Sequence, residues 1–326
     1  MNKMFLFLPL FFFLSCQQQQ ENQQVSNQTK VSSQVLTKEN KWKNESTIKF
    51  LFLEESKIEH IDIFISQARK WEKYINLNFE FHKIDKTRTG LLTPKFWRKT
   101  ILVKFDPSSS GGSSKLGNGY DDSLFIKSFM TIGTDNHIQS LKGVILHEIG
   151  HALGLKHEHQ HPDTNYYEDE EQLKLICALY NIKEKEECSV NFKREERNDQ
   201  NEVSQYDRFS IMHYNSIDGA KLNNGYALTS GSLNLSLSDK IFIAKIYPKK
   251  EPLTLEQIER MHEIDVEQEK IEFRESLKNE ICEITESSEL CGSSAPYTIV
   301  INGFAVGCFE DINTAYQFEH NFCGVD

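Results

Sequence analysis

Apolar residues recur along this chain with two periods, and the stretches lacking either period mark its boundaries. Residues 47–53 are a nearly unbroken apolar run with β-branched and aromatic members and read as a strand. Residues 58–75 carry Ile61, Ile65, Ala68 and Trp71 at helical spacing. Residues 76–81 and 101–105 alternate between apolar and polar and read as strands, with residues 124–132 a further candidate. The Ser/Gly stretch 108–114 reads as a loop. Residues 141–146 supply the first turns of a long helix. A strand–helix–strand–strand order leading into a long helix predicts a mixed α+β domain.

The two ends depart from this pattern. After Lys3, residues 4–14 are wholly apolar, too short to span a bilayer and suited to a signal-peptide core. Ser15 and Cys16 follow, then four glutamines. Residues 1–16 thus resemble a bacterial lipoprotein signal, with Cys16 the lipidated first residue of the exported chain. Residues 17–41 are rich in Gln, Asn, Ser and Thr and carry too little apolar surface to offset ordering entropy. They read as a flexible tether, so the globular part starts at Trp42. A charged region with helical pattern spans residues 251–289, and a compact tail follows from Pro296. Residues 297–301 and 304–309, joined by Asn302-Gly303, read as a hairpin. Residues 311–322 read as a short helix. The expected division is signal 1–16, tether 17–41, catalytic domain 42–249, and a helical linker with a small cysteine-containing domain at 250–326.

Composition narrows the function. The chain of 326 residues has 37 Lys and Arg against 48 Asp and Glu, a net charge of −11. That argues against a nucleic-acid partner, which calls for a basic patch. Seven cysteines are an odd number; assigning Cys16 to lipid leaves an even remainder, as disulfides in an exported protein require. Cys177 and Cys188 are a local candidate pair. Cys282, Cys291, Cys308 and Cys323 allow three connectivities. Their spacing does not resemble paired zinc knuckles, so the tail reads as stapled packing.

The chemistry concentrates at residues 147–158, His147-Glu-Ile-Gly-His151-Ala-Leu-Gly154-Leu-Lys-His157-Glu158. A helix puts His147 and His151 on one face, one turn apart. Gly154 takes a positive φ, ends the helix and turns the chain so that His157 reaches the same metal. Three imidazoles leave a fourth position open, the arrangement of a catalytic zinc. Glu148 beside the first ligand is then a general base for a zinc-activated water attacking a carbonyl. His159 and His161 extend the cluster and read as surface residues. Downstream stands Ser210-Ile-Met-His-Tyr214. Met212 suits an apolar floor beneath the histidines. Tyr214 suits a hydroxyl aimed at the metal or at a developing oxyanion.

Together the extended HExxHxxGxxHE string and the Ser-Ile-Met-His-Tyr turn resemble the astacin family of metzincin metallopeptidases, from about residue 42 to 247. The resemblance implies a twisted sheet and active-site helix above a lower irregular half. It implies one catalytic Zn2+ held by His147, His151 and His157, with Glu148 as base. It implies Met212 in the Met-turn, Tyr214 as a movable ligand that stabilises the transition state, and Glu158 as the family's Glu beside the third His. The strand near residues 124–132 is expected to be the edge that pairs with an extended substrate. The implied activity is endopeptidase cleavage of protein or peptide substrates. The implied location is outside the cytoplasm, on a membrane through the lipid anchor or secreted if the anchor is cut. Competing readings are a hydrolase of cell-wall peptides and an inactive surface-binding lipoprotein. No oligomeric state is read from the sequence.

Overall fold

A computed structural model describes residues 35–84, 99–109, 111–120, 129–134, 138–164, 174, 177–178, 188, 192–213, 232–277, 282–286, 297–301 and 304–309. Its strands are β1 (Val35–Thr37), β2 (Thr47–Phe52), β3 (Asn78–Lys83), β4 (Thr100–Asp106), β5 (Gly112–Ser113), β6 (Phe129–Gly133), β7 (Asn201–Val203), β8 (Cys282–Glu286), β9 (Tyr297–Ile301) and β10 (Phe304–Phe309). The helices are α1 (Ile58–Glu72), α2 (Ile138–Ala152), α3 (Leu237–Ile246) and α4 (Leu255–Leu277). The break between two compact units falls inside α4, between Glu259 and Arg260. Among the described residues no helix is long and apolar enough to cross a membrane.

The larger unit is built on a five-stranded sheet in the order β3-β2-β4-β6-β5. The first four strands are parallel and β5 is antiparallel to β6. Strand β2 is apolar from Phe50 onward because both its faces are covered, as in parallel sheets generally. Helix α1 turns Ile61, Phe64, Ala68 and Trp71 inward, one apolar stripe at helical spacing. Phe50 is the hub: its ring lies 5.1 Å from Phe64, 5.3 Å from Phe79 and 5.7 Å from Phe81. Burial of a ring such as Phe50, Phe64 or Phe79 stabilises by about 1.5–3 kcal/mol through area alone. The Trp71 indole donates to the Leu146 carbonyl at 3.1 Å, tying α1 to α2.

The mixed sheet and helices agree with the expected α+β class, but several local expectations are corrected. The stretch 108–114, read as a loop, contains β5. Because Gly112 and Ser113 pair with Ile132 and Thr131, β6 is second from the edge and β5 is the outermost strand. The tether does not run to Lys41. Val35 and Leu36 are fully buried, and β1 pairs with β7 in register Val35↔Val203. Two aliphatic side chains in a polar stretch are enough when each finds a prepared site. Trp42 follows, its indole donating to the Ala152 carbonyl at 2.7 Å.

In the smaller unit β8, β9 and β10 form an antiparallel sheet in the order β10-β9-β8. The expected hairpin strands are β9 and β10. The helical pattern predicts helix as far as residue 289, yet α4 ends at Leu277 and Cys-Glu-Ile-Thr-Glu forms β8. That pentapeptide alternates with period two, which suits a strand flanking β9. Cys282 and Cys308 lie on the outer strands, in register with Ile301 and Thr298 of β9. Cys291, Cys323 and the helix expected at 311–322 lie outside the described residues.

Candidate metal centre

Helix α2 carries His147 and His151 on one face, and its C-terminus brings in the third ligand. Gly154 has φ 98°, a conformation that favours glycine. Its N–H donates to the His151 carbonyl at 2.8 Å and the Leu155 N–H to the Gly150 carbonyl at 3.0 Å, the paired bonds of a Schellman cap. The chain then reverses and presents His157. The donor atoms of His147, His151 and His157 lie within 4.8 Å of one another.

The hydrogen bonds of these rings decide which nitrogens face the centre. His147 Nδ1 is 2.8 Å from the Ile211 carbonyl, and His151 Nδ1 is 2.7 Å from the Leu155 carbonyl. A carbonyl only accepts, so each Nδ1 carries the proton and each Nε2 offers a lone pair. His151 Nε2 and His157 Nε2 stand 3.0 Å apart. A tetrahedral zinc with nitrogen ligands at about 2.0–2.1 Å holds them about 3.3 Å apart. The donor set therefore fits zinc. Burial pushes the imidazole pKa down to about 4 for His147 and about 3 for His151, and well below its usual value for His157. All three are neutral at pH 7, as metal ligands must be.

Glu148 is 4% exposed, and its Oε2 is buried without a hydrogen-bond partner among the described residues. Loss of solvent raises its pKa to about 8.

Beneath the histidines Met212 is fully buried, and its sulfur occupies the space where a side chain at Gly150 would stand. The turn that carries it is fixed by Asp239. One Asp239 oxygen accepts from the Ser210 hydroxyl at 2.7 Å, and the other from the Ile211 N–H at 2.9 Å. That second oxygen also accepts from the Ser236 N–H at 2.9 Å, closing a capping box at the start of α3. One carboxylate thus joins a helix cap to the residue, Ile211, whose carbonyl holds His147. Burial raises its pKa to about 6 despite these donors. The pattern Ser236-x-x-Asp239 is a capping signal in the sequence, but nothing there tells that its carboxylate reaches residue 211. Glu158 is also buried: its N–H donates to the Met212 carbonyl at 2.9 Å, and its Oε1 accepts from the Asp207 N–H at 2.7 Å. Burial drives its pKa well above the usual carboxylate range.

His159 and His161 are not surface residues: they are 2% and 0% exposed. The turn Glu158–Gln160 points His159 back along the His157 ring, centroids 5.0 Å apart, and towards Phe192 at 5.4 Å. His161 donates through Nε2 to the Ser204 carbonyl at 3.1 Å and accepts the Asp163 N–H on Nδ1 at 3.1 Å. Tyr206 hydroxyl and His213 Nε2 are 2.9 Å apart. Cys177 and Cys188 are joined in a disulfide. Cys16 and Tyr214 lie outside the described residues.

The model of the Astacin peptidase family matches residues 34–235. Protein SpAN of Strongylocentrotus purpuratus is 31% identical over 86 residues, covering 22% of this chain and 13% of SpAN. That match spans only about an eighth of the relative's own length. Among solved structures, myroilysin aligns with a TM-score of 0.54 at 29% identity, covering 66% of this chain and 99% of that one. High choriolytic enzyme 1, a hatching enzyme zinc-protease from Oryzias latipes, aligns with a TM-score of 0.42 at 19% identity, covering 64% of this chain and 94% of that one.

Proposed function

The chain belongs to the astacin family of peptidases, and from that premise we propose that it cleaves internal peptide bonds of proteins or peptides outside the cytoplasm, held to a membrane by lipid on Cys16. The catalytic domain is that of a zinc metallopeptidase. The observation that carries the reading is the convergence of the donor atoms of His147, His151 and His157, with the buried Glu148 next to the first of them in the chain.

When bound, zinc supplies Lewis acidity towards a carbonyl and lowers the pKa of water. The chain supplies the rest. Its three neutral imidazoles present lone pairs, two of them already oriented by backbone carbonyls. Glu148 takes the proton of the attacking water at its carboxylate and returns it to the departing amine. Its burial keeps bulk water from competing. Tyr214, next in the chain after His213, is assigned to the developing oxyanion through its hydroxyl.

Support for the anchor comes from the apolar run at residues 4–14 with Ser15 and Cys16 after it. Fatty-acid labelling of the expressed chain, lost in Cys16→Ala, tests it; label retained on the variant rejects lipid at that residue.

The activity is tested on an unfolded protein substrate. Cleavage at internal bonds should stop with a chelator, return with zinc, and be absent in Glu148→Gln with its metal still bound. Chelator-insensitive cleavage rejects the reading. Release of cell-wall peptides with no cleavage of protein moves the substrate class, and zinc binding without hydrolysis of either leaves a binding lipoprotein.

A further inference from the structure

The outermost strand of the sheet meets the proposed base at one residue. A Cβ built on Gly112 would lie 2.5 Å from Glu148 Oε1, 2.6 Å from its Cγ and 2.8 Å from its Cδ. None of these separations is tolerated between non-bonded atoms, so a side chain at 112 and the present Glu148 conformation exclude one another. We propose that Gly112 is a positioning residue for Glu148: the bare backbone of β5 leaves the space that the carboxylate of Glu148 occupies.

Which partner yields to a methyl group follows from how each is fastened. Strand β5 is pinned on β6 by Gly112↔Ile132 and Ser113↔Thr131. Beside it the Gly133 N–H donates to the Gly111 carbonyl at 2.7 Å. The turn leading into β5 is packed tightly too, since a Cβ on Gly133 would lie 2.4 Å from both the Gly111 and Ser109 carbonyl oxygens. These backbone contacts hold the strand on β6, although its own two residues are exposed. Glu148 turns on three rotatable bonds, and its Oε2 has no hydrogen-bond partner among the described residues to hold it, so the side chain is the partner that shifts. A methyl at 112 thus leaves the ligands and the sheet alone and moves the base. A reacting group displaced by about 1 Å can lose about 100-fold in rate. Gly111, the preceding residue, has nothing within 4 Å of its Cβ position and serves as control.

This inference rests on Glu148 as general base, and the experiment separates the two. The full-length zinc enzyme is compared as wild type, Gly112→Ala, Gly111→Ala, Glu148→Ala and Gly112→Ala/Glu148→Ala, by zinc content, melting temperature and steady-state or single-turnover peptide hydrolysis. Gly112→Ala should keep its zinc and its melting temperature and lose about 100-fold in kcat with KM little changed. Gly111→Ala should keep wild-type kcat. Glu148→Ala removes the Glu148 atoms the methyl would meet, so adding Gly112→Ala to Glu148→Ala should change the residual kcat by less than about threefold, a coupling a general fold defect would not show. Wild-type kcat in Gly112→Ala overturns the proposal. So does a change confined to KM, which assigns the methyl to substrate contact. So does loss of zinc or fold in Gly112→Ala, which shows that the strand takes the strain. If Glu148→Gln itself remains active, the base assignment fails first.

Discussion

The two halves of the catalytic unit hold their residues in place by opposite means. Above, β2, β3, β4 and α1 meet mainly through aromatic and aliphatic side chains, and the backbone is satisfied by its own ladders. Below, Glu158, His159, Gln160, His161, Ser210 and Asp239 are all buried in chain that is mostly irregular. Their polar atoms fix the backbone one bond at a time. The upper half tolerates approximation, because a slightly shifted ring still fills its space. The lower half does not, because a missing partner strands a buried donor or acceptor. Rigid placement of metal ligands comes from the second means, with the first as its foundation.

Substitutions should separate the two. Phe50→Ala empties the hub of the upper half and should cost about 3–5 kcal/mol of stability. Its kcat and zinc content, measured well below its melting point, should match wild type. Loss of activity in the folded variant would break the distinction. Asp239→Ala leaves the Ser210 hydroxyl and the Ile211 and Ser236 N–H groups without their acceptor and should cost about 3 kcal/mol. Here zinc affinity should fall with stability, by roughly 10-fold or more in a chelator competition, because the Ile211 carbonyl holds His147. Unchanged affinity would detach the turn from the ligand.

A smaller effect is expected from pH. The Asp239 carboxyl has a pKa of about 6 in the fold against an ordinary 3.8. Between those values the native chain keeps a proton that the unfolded chain has released, so this residue's contribution falls as pH rises. Asp239→Asn has no such proton. The stability of wild type relative to Asp239→Asn should therefore decline from pH 4 to pH 7 in urea titrations; a flat difference would mean that the three donors hold the carboxylate ionised throughout. Smallest is Ser236→Ala, which removes the side-chain half of the capping box and should lower stability by about 1 kcal/mol. Its zinc affinity should not change, since the Asp239 contacts to Ser210 and Ile211 remain.

The same contrast explains what the sequence discloses. Strands β2, β3 and β4 and helix α1 are visible because burial imposes a period on their apolar residues. The ligand string is visible because a helix and a cap fix the spacing of His147, His151 and Gly154. Strand β5 is invisible, being two residues without apolar side chains whose identity as a strand exists only in pairing with β6. Burial of His159 and His161 is equally hidden. A histidine carries no mark of its environment, and their partners Phe192 and Ser204 are dozens of residues away. Val35 and Leu36 look like tether because the ladder they join is completed by residues 201–203.

That last strand also sets how the domain bears force. A pull on the chain ahead of Val35 runs along β1 and is resisted in shear by its antiparallel bonds to β7. The Val35 carbonyl is bonded to the N–H of Lys156 at 2.9 Å, one residue from His157. Val203, opposite Val35, precedes Ser204, whose carbonyl holds His161. Tension entering at the N-terminus therefore reaches both flanks of the histidine cluster before it reaches the five-stranded sheet. The strand leading in from the N-terminus is thus bonded one residue from a metal ligand.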